Sequence, residues 1–315
     1  MSDLDRAVRA VVRDCLGVTE GEVVLVVANP ATQHLGERLR DEGAEAGADA
    51  VLALISERAS HAAEPPRTVA EAMTAADVIL APTVQSLSHT AARKRASEAG
   101  ARCATLPGVT EEMLARVMSA DMEDLRRRGR AVADALDAAS EAQVTCKKGT
   151  DLRLELSGRK AISDAGELTA AGAFGNLPCG EGFIAPAGGE GVLVVDGSLA
   201  GIGLVEEPVE LVIEGGRLTS ARGSQGMAFM ELLTEHGEDG TNVAELGIGT
   251  NEKAKLTGEI LEDEKILGTC HIAFGASAAI GGTVQVPVHL DCVVMKPTVE
   301  LDGEAIVRDG ELLVR

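Results

Sequence analysis

The sequence predicts an α/β protein in two parts: a Rossmann-like parallel-sheet domain over residues 1–142 and a β-rich, α+β metal-binding domain over residues 143–315. Three observations carry this reading. Up to about residue 140, short and wholly apolar runs alternate with helical segments. Beyond it, strand-length segments follow one another through glycine and Asp-Gly turns. In that second half, histidines and carboxylates stand inside or beside apolar strands.

Parallel strands covered on both faces read as continuous apolar runs, whereas half-exposed strands alternate. "GEVVLVVAN" (21–29), "DAVLALI" (49–55), "DVILAP" (77–82) and "ARCATLP" (101–107) are continuous. Helical patterns follow at "TQHLGERLRDEGAEAG" (32–47), "RTVAEAMTAA" (67–76) and around 85–99, and a long one over roughly 110–142 closes the half. No G-x-G-x-x-G follows these strands and no G-x-x-x-x-G-K-[ST] occurs, so this half reads as scaffold without nucleotide chemistry.

After residue 143 the pattern turns antiparallel. "QVTCKKGTDLRLELSGRKAI" predicts one hairpin and "GVLVVDGSLAGIGLVE" a second. "VELVIEGGRLTSARG" predicts a third, turning at Gly215-Gly216. "GMAFMELLTEHG" (226–237) is a short helix, "KILGTCHIAF" and "VPVHLDCVVM" are apolar strands, and two Asp-Gly turns punctuate the end.

The balance of 29 basic against 50 acidic residues gives a formal charge of −21. Such a surface repels phosphate backbones, and with no Trp, no Tyr and four Phe the chain has little with which to stack bases. Nucleic acid is therefore not an expected partner. No stretch reaches the ~18 uncharged apolar residues of a membrane helix. The N-terminal "MSDLDRAVRAVVRDCLG" is a charged amphipathic helix, not a signal peptide. A cytoplasmic location is expected. Cys15, Cys103, Cys146, Cys179, Cys270 and Cys292 show no pairing framework and read as reduced, mostly buried thiols.

The chemistry concentrates in the second half. His289 and Asp291 lie two residues apart in "VPVHLDCVVM", so on a strand both leave the same face. Glu181 lies in the Pro/Gly-bounded "NLPCGEGFIAP", Glu245 at a strand end in "NVAELGIG", and His271 in "GTCHIAFG". A lone histidine in a strand is ordinarily a satisfied core residue, and a buried His-x-Asp also serves as a structural ion pair. Taken together, imidazoles and carboxylates suit Zn²⁺, Co²⁺, Mn²⁺ or Fe²⁺. Five such residues exceed one four-coordinate zinc and suit a two-metal site with a bridging water. Cys270 and Cys292 each neighbour a candidate ligand on a strand and should face away from it.

In order, "GTDLRLELSGR", "NLPCGEGFIAP", "AELGIGTNEKAK", "GTCHIAFG" and "HLD" resemble the leucyl aminopeptidase T/S family of metallopeptidases over roughly 145–295. The resemblance implies a homodimeric, metal-dependent aminopeptidase-like hydrolase acting on small peptides. It places the metal ligands on Glu181, Glu245, His271, His289 and Asp291. It also implies a catalytic part for Glu181 and Glu245, one of them bridging the metals or accepting the water's proton.

Two departures stand out. The interval from His271 to His289 is shorter than in those peptidases, and the tyrosine that would assist at the scissile carbonyl falls on Ala278 in a chain with no tyrosine. Ser277 is the nearest hydroxyl. The short interval and the final "HLD" also resemble, more distantly, the 2,5-dihydroxypyridine dioxygenases, whose single iron is held by two His and one Asp. There a His stands at the position of Glu245 and an apolar residue at that of Glu181. The alternatives implied are thus an Fe(II)-dependent ring-opening dioxygenase or a hydrolase of other small molecules.

Overall fold

A computed structural model describes residues 1–314. The chain forms two compact units: Met1–Ala120 with Gly166–Cys179, and Asp121–Ala165 with everything from Gly180 onward. Residue 142, where the pattern of the sequence changes, falls inside the second unit. The reason is the helix Met122–Ala138, whose Val132 and Leu136 are fully buried in the core of the β-rich unit. The long helical segment expected over 110–142 is two helices, Glu111–Val117 and Met122–Ala138. Asp121 separates them as an N-cap, accepting from the backbone N–H groups of Glu123 and Asp124 at 3.0 and 3.1 Å.

The first unit is a five-stranded parallel sheet in the order Asp49–Leu54, Val23–Ala28, Val78–Ala81, Arg102–Thr105, Phe174–Asn176. Four of these strands are the apolar runs of the sequence. Helix Gln33–Glu45 covers one face, where Gly36 lets it approach so closely that an added Cβ would lie 2.9 Å from that of Ala28. The fifth strand comes from the returning segment and has no apolar run to announce it. Arg93 stacks on Phe174 with its guanidinium carbon 4.0 Å from the ring centroid.

The second unit packs two antiparallel sheets face to face. The eight-stranded one runs Arg217–Ala221, Val209–Glu214, Gly188–Val195, Asp151–Glu155, Glu141–Thr145, Thr298–Leu301, Glu304–Arg308, Glu311–Leu312. The seven-stranded one runs Gly203–Leu204, Ser198–Leu199, His289–Val294, Cys270–Gly275, Val243–Gly249, Glu181–Ile184, Ala161–Asp164. Alternate residues of both sheets (Leu152, Leu193, Leu211, Leu246, Ile272, Cys292) meet in one core with Val132, Leu136 and Phe229. The Gly215-Gly216 hairpin forms as expected, both glycines at positive φ (59° and 72°), as do the turns at Asp302-Gly303 and Asp309-Gly310. Of "GVLVVDGSLAGIGLVE", expected as one hairpin, only the second part pairs so, Ser198–Leu199 with Gly203–Leu204. At Asp196-Gly197 the chain leaves one sheet for the other, so Gly188–Val195 and Ser198–Leu199 lie in different layers.

Among the described residues, no helix is long and apolar enough to cross a membrane.

Candidate metal centre

The seven-stranded sheet gives one face to the core and gathers chemistry on the other. Register decides which residues share that second face: His271 pairs with Gly247 and Val293, Ala273 with Glu245 and Asp291, Gly275 with His289, and Gly249 with Glu181. All five residues singled out in the sequence therefore project from four adjacent strands onto one face. Ala273, Gly247, Gly249 and Gly275 between them carry little or no side chain and leave room.

Glu245 reaches this face through a bulge. Strict alternation in "VAELGIG" would put Val243 and Glu245 on the same side. The pairing slips between Val243 and Glu245, so Val243 and Leu246, three residues apart, both enter the core while Glu245 faces away from it. Glu245 is thus inside the strand, not at its end. His289 opens its own strand, which is shorter than the apolar run suggested.

The side chains form a continuous chain of contacts. His271 Nε2 lies 3.1 Å from Glu181 Oε2 and 3.2 Å from Glu245 Oε1. His289 Nε2 lies 3.4 Å from the other oxygen, Glu245 Oε2, and 3.7 Å from Asp291 Oδ1. Glu245 therefore stands between two imidazoles. His289 Nδ1 is 2.7 Å from the Ala276 carbonyl, which can only accept, so that nitrogen carries the proton and Nε2 is turned to the cluster. His271 is fully buried, Glu181, Glu245 and Asp291 nearly so, and His289 is partly open at 18 %.

Two further ionisable groups belong to the cluster and were not foreseen. Lys265 is wholly buried, its Nζ donating to Glu181 Oε1 at 2.7 Å and also to Glu264 Oε1. They sit in "LEDEKILG" (261–268), whose Lys265 opens the run "KILGTCHIAF" expected as a strand; the strand itself begins only at Cys270. Here every charge in it is taken inside. Glu262 accepts from the Lys255 N–H at 3.0 Å, and Asp263 from those of Thr257 and Gly258 at 2.7 and 2.9 Å. The available signal was position: four charges directly before the strand that carries His271.

The electrostatics follow from crowding in a dry site. Burial opposes the charge on Glu245, yet hydrogen bonds and charge from His271 and His289 outweigh it and hold the carboxyl well below its usual range. Glu181 is lowered likewise, Lys265 and His271 overcoming the burial. His289 is pushed up to about 10, Asp291 and Glu245 outweighing its burial. Asp291 is raised by burial and by the nearby Glu245 and Glu181 charges, against His289. Glu264 goes up to about 8, mainly by burial with Glu181 and Asp291 adding to it, although Lys265 opposes.

The donor set fits a divalent metal. Glu181, Glu245 and His271 offer atoms all within 4.8 Å of one another, as do Glu264, His271 and Asp291. Glu181 Oε2 is buried without a hydrogen bond, an arrangement that is costly unless a cation takes the lone pairs. Cys270 and Cys292 point into the core, as their strand positions require. Ser277 Oγ accepts from the Val284 N–H at 3.2 Å and so helps to shape its loop, while Ala278 is exposed.

The chain is similar to known enzymes along its whole length. The family model of 2,5-dihydroxypyridine 5,6-dioxygenase matches residues 6–314. The 2,5-dihydroxypyridine 5,6-dioxygenase of Pseudomonas putida KT2440 is 25 % identical over 258 residues, 77 % of this chain and 72 % of that one. The solved structure of the 2,5-dihydroxypyridine dioxygenase from the same strain superposes with a TM-score of 0.87 at 20 % identity, covering 100 % of this chain and 99 % of the other. AmpT from Thermus thermophilus superposes with a TM-score of 0.73 at 21 % identity, covering 99 % of each. Fold and matches together define an enzyme of the class that joins a parallel α/β unit to a β-rich one. Within that class, the chain belongs to the 2,5-dihydroxypyridine 5,6-dioxygenase family. Both resemblances drawn from the sequence have a counterpart here; membership goes to the dioxygenases, and AmpT shares the fold.

Proposed function

We propose that this chain is a divalent-metal-dependent dioxygenase that opens the ring of a small dihydroxylated aromatic compound, with Fe(II) as the working metal. The observation that carries the reading is that His271, His289 and Asp291 share one face of the sheet, both imidazoles within 3.4 Å of Glu245 and Asp291 3.7 Å from His289, in a member of this family. That set is the one non-haem Fe(II) oxygenases use. When bound, the iron would supply the one-electron chemistry that lets O₂ react with an electron-rich ring.

The residues have separable tasks. His271, His289 and Asp291 would hold the metal. The Ala276 carbonyl fixes the His289 ring so that Nε2 faces Glu245 and Asp291, where a metal would bind. Glu245, between the imidazoles, is an ionised carboxylate that faces their Nε2 atoms, and beside a bound metal it would serve as a further oxygen donor or as a base toward a ring hydroxyl. His289, the most open member, marks the side from which a substrate enters.

A second reading keeps a specific support. Glu181 and Glu245 add two carboxylates to the triad, an oxygen-rich set suited to a metal-activated water, and AmpT shares the fold. Against this aminopeptidase-like hydrolase stands the missing tyrosine, for which the exposed Ala278 and the occupied Ser277 offer no replacement.

The test is oxygen uptake. Protein loaded anaerobically with Fe(II) should consume one O₂ per molecule of 2,5-dihydroxypyridine or a related dihydroxylated ring, with loss of the ring's ultraviolet band. No uptake on any such ring, together with brisk release of N-terminal residues from dipeptides, would overturn the proposal in favour of the hydrolase.

A further inference from the structure

Neither reading uses Glu264 or Lys265, and the lysine is the sharper case. It is wholly buried, yet its stem delivers an ammonium group into the carboxylates. Nζ donates to Glu181 Oε1 at 2.7 Å and to Glu264 Oε1. Glu181 is thereby divided: one oxygen is claimed by the lysine, and the other, Oε2, faces His271 Nε2 at 3.1 Å with no hydrogen bond of its own.

We propose that the Lys265 ammonium fills one of the two cation positions of this carboxylate cluster, so that the centre accepts a single divalent ion. The proposal rests on the metal-dependent reading of the site. Two ions ~3.5–4 Å apart are held together by a carboxylate that gives one oxygen to each. Glu181 is placed to do this, between His271 on one side and Glu264 on the other. An ion bound to Oε1 would have to share that oxygen with an ammonium already at hydrogen-bond distance. Like charges so close in a site shielded from water exclude each other strongly. The lysine thus does the charge-neutralising work of a second metal without its chemistry, and leaves Oε2, Glu245, Asp291 and the two imidazoles for one ion. A merely structural ion pair makes a different prediction: its removal weakens the fold and opens no position for a cation.

Ion counting separates the possibilities. Wild-type protein and Lys265→Met, which keeps the stem and deletes the charge, are dialysed against Mn²⁺ or Co²⁺ and analysed for metal by mass spectrometry. The expected result is one ion per chain in wild type and two in Lys265→Met, while Lys265→Arg stays at one. Electron paramagnetic resonance of the Mn²⁺-loaded wild type should show an isolated six-line signal, a readout that holds even if the variants do not fold. Two ions or an exchange-coupled spectrum in wild type would overturn the proposal alone, as would one ion in a folded Lys265→Met. No ion in any form would remove the metal-dependent reading itself.

Discussion

Gly247 faces His271 across two hydrogen-bonded strands, and a methyl group at Gly247 would lie 2.0 Å from the ring nitrogen Nε2. The imidazole lies over bare backbone, and the absence of a side chain at 247 sets its tilt toward Glu181 and Glu245. Gly247→Ala should therefore displace the ring at an overpacking cost of about 1–3 kcal/mol. Metal affinity should fall ~10–100-fold, the usual penalty for disturbing what orients a ligand. Titration calorimetry with Co²⁺ reads the affinity, and unchanged binding would show that the ring has another resting place.

Removing a ligand should act more sharply than moving one. His289→Ala takes away a donor without opening the core, because the side chain is partly open to solvent. The variant should fold, lose the ion on gel filtration and lose turnover with it. Retention of a full complement of metal would exclude His289 from the ligand set.

The core offers a control for both. Phe229 and Phe274, both fully buried, meet edge to face with ring centroids 6.1 Å apart. Phe229→Ala should cost about 3–5 kcal/mol in denaturant unfolding while leaving the number of bound ions as it was. A change in ion count would mean that the strand carrying His271 depends on this packing for its register.

In the first unit, Arg102 grips Glu22 through both carboxylate oxygens at 2.8 and 2.7 Å, and Glu22 also accepts from the Thr19 N–H at 2.9 Å. Burial would raise the Glu22 pKa, but the Thr19 N–H and Arg102 outweigh it and lower it below 4.5. A lowered folded-state pKa contributes stability above the unfolded value and loses it as pH falls through the folded value. Glu22→Gln should thus cost about 1 kcal/mol at neutral pH, the scale of a partly exposed charged pair. The difference should vanish below the carboxylate range. Thermal unfolding of both proteins across pH 3–8 would show whether the gap closes on the acid side as this requires.

Assembly is a proposal of the same testable kind. The strand Asp49–Leu54 is a sheet edge in the described chain, with Val51 and Leu54 49 % and 47 % exposed. A homodimer predicts twice the 32.4 kDa chain mass in light scattering at low and at molar salt. A monomer at both would remove it.

How much of this was legible follows from what periodicity can encode. His289 and Asp291 were readable as one face because a strand repeats every two residues, and the four apolar runs were readable because buried parallel strands leave no other pattern. The place of Glu245 was not, since a bulge breaks the alternation and leaves no mark in "VAELGIG". Lys265 and Glu264 were hidden by a general rule, that charged side chains are almost never fully buried. The rule fails only where each charge meets a partner that the linear sequence does not show. The fifth strand, Phe174–Asn176, was hidden because the neighbouring strand Arg102–Thr105 lies some seventy residues earlier in the chain.

That last strand has a consequence for how the chain is made. Synthesis runs from the N-terminus, so the first unit waits for its fifth strand until a helix and three strands of the second have been translated. Until then Arg102–Thr105 has an open edge, Thr105 lacks its 2.6 Å bond to Asn176, and Arg93 has no ring to stack on. A fragment ended at residue 142 would be a nascent chain stopped at that stage. Exchange of the second unit between genes as one uninterrupted block would likewise carry away a strand of the first, so the two must be inherited together.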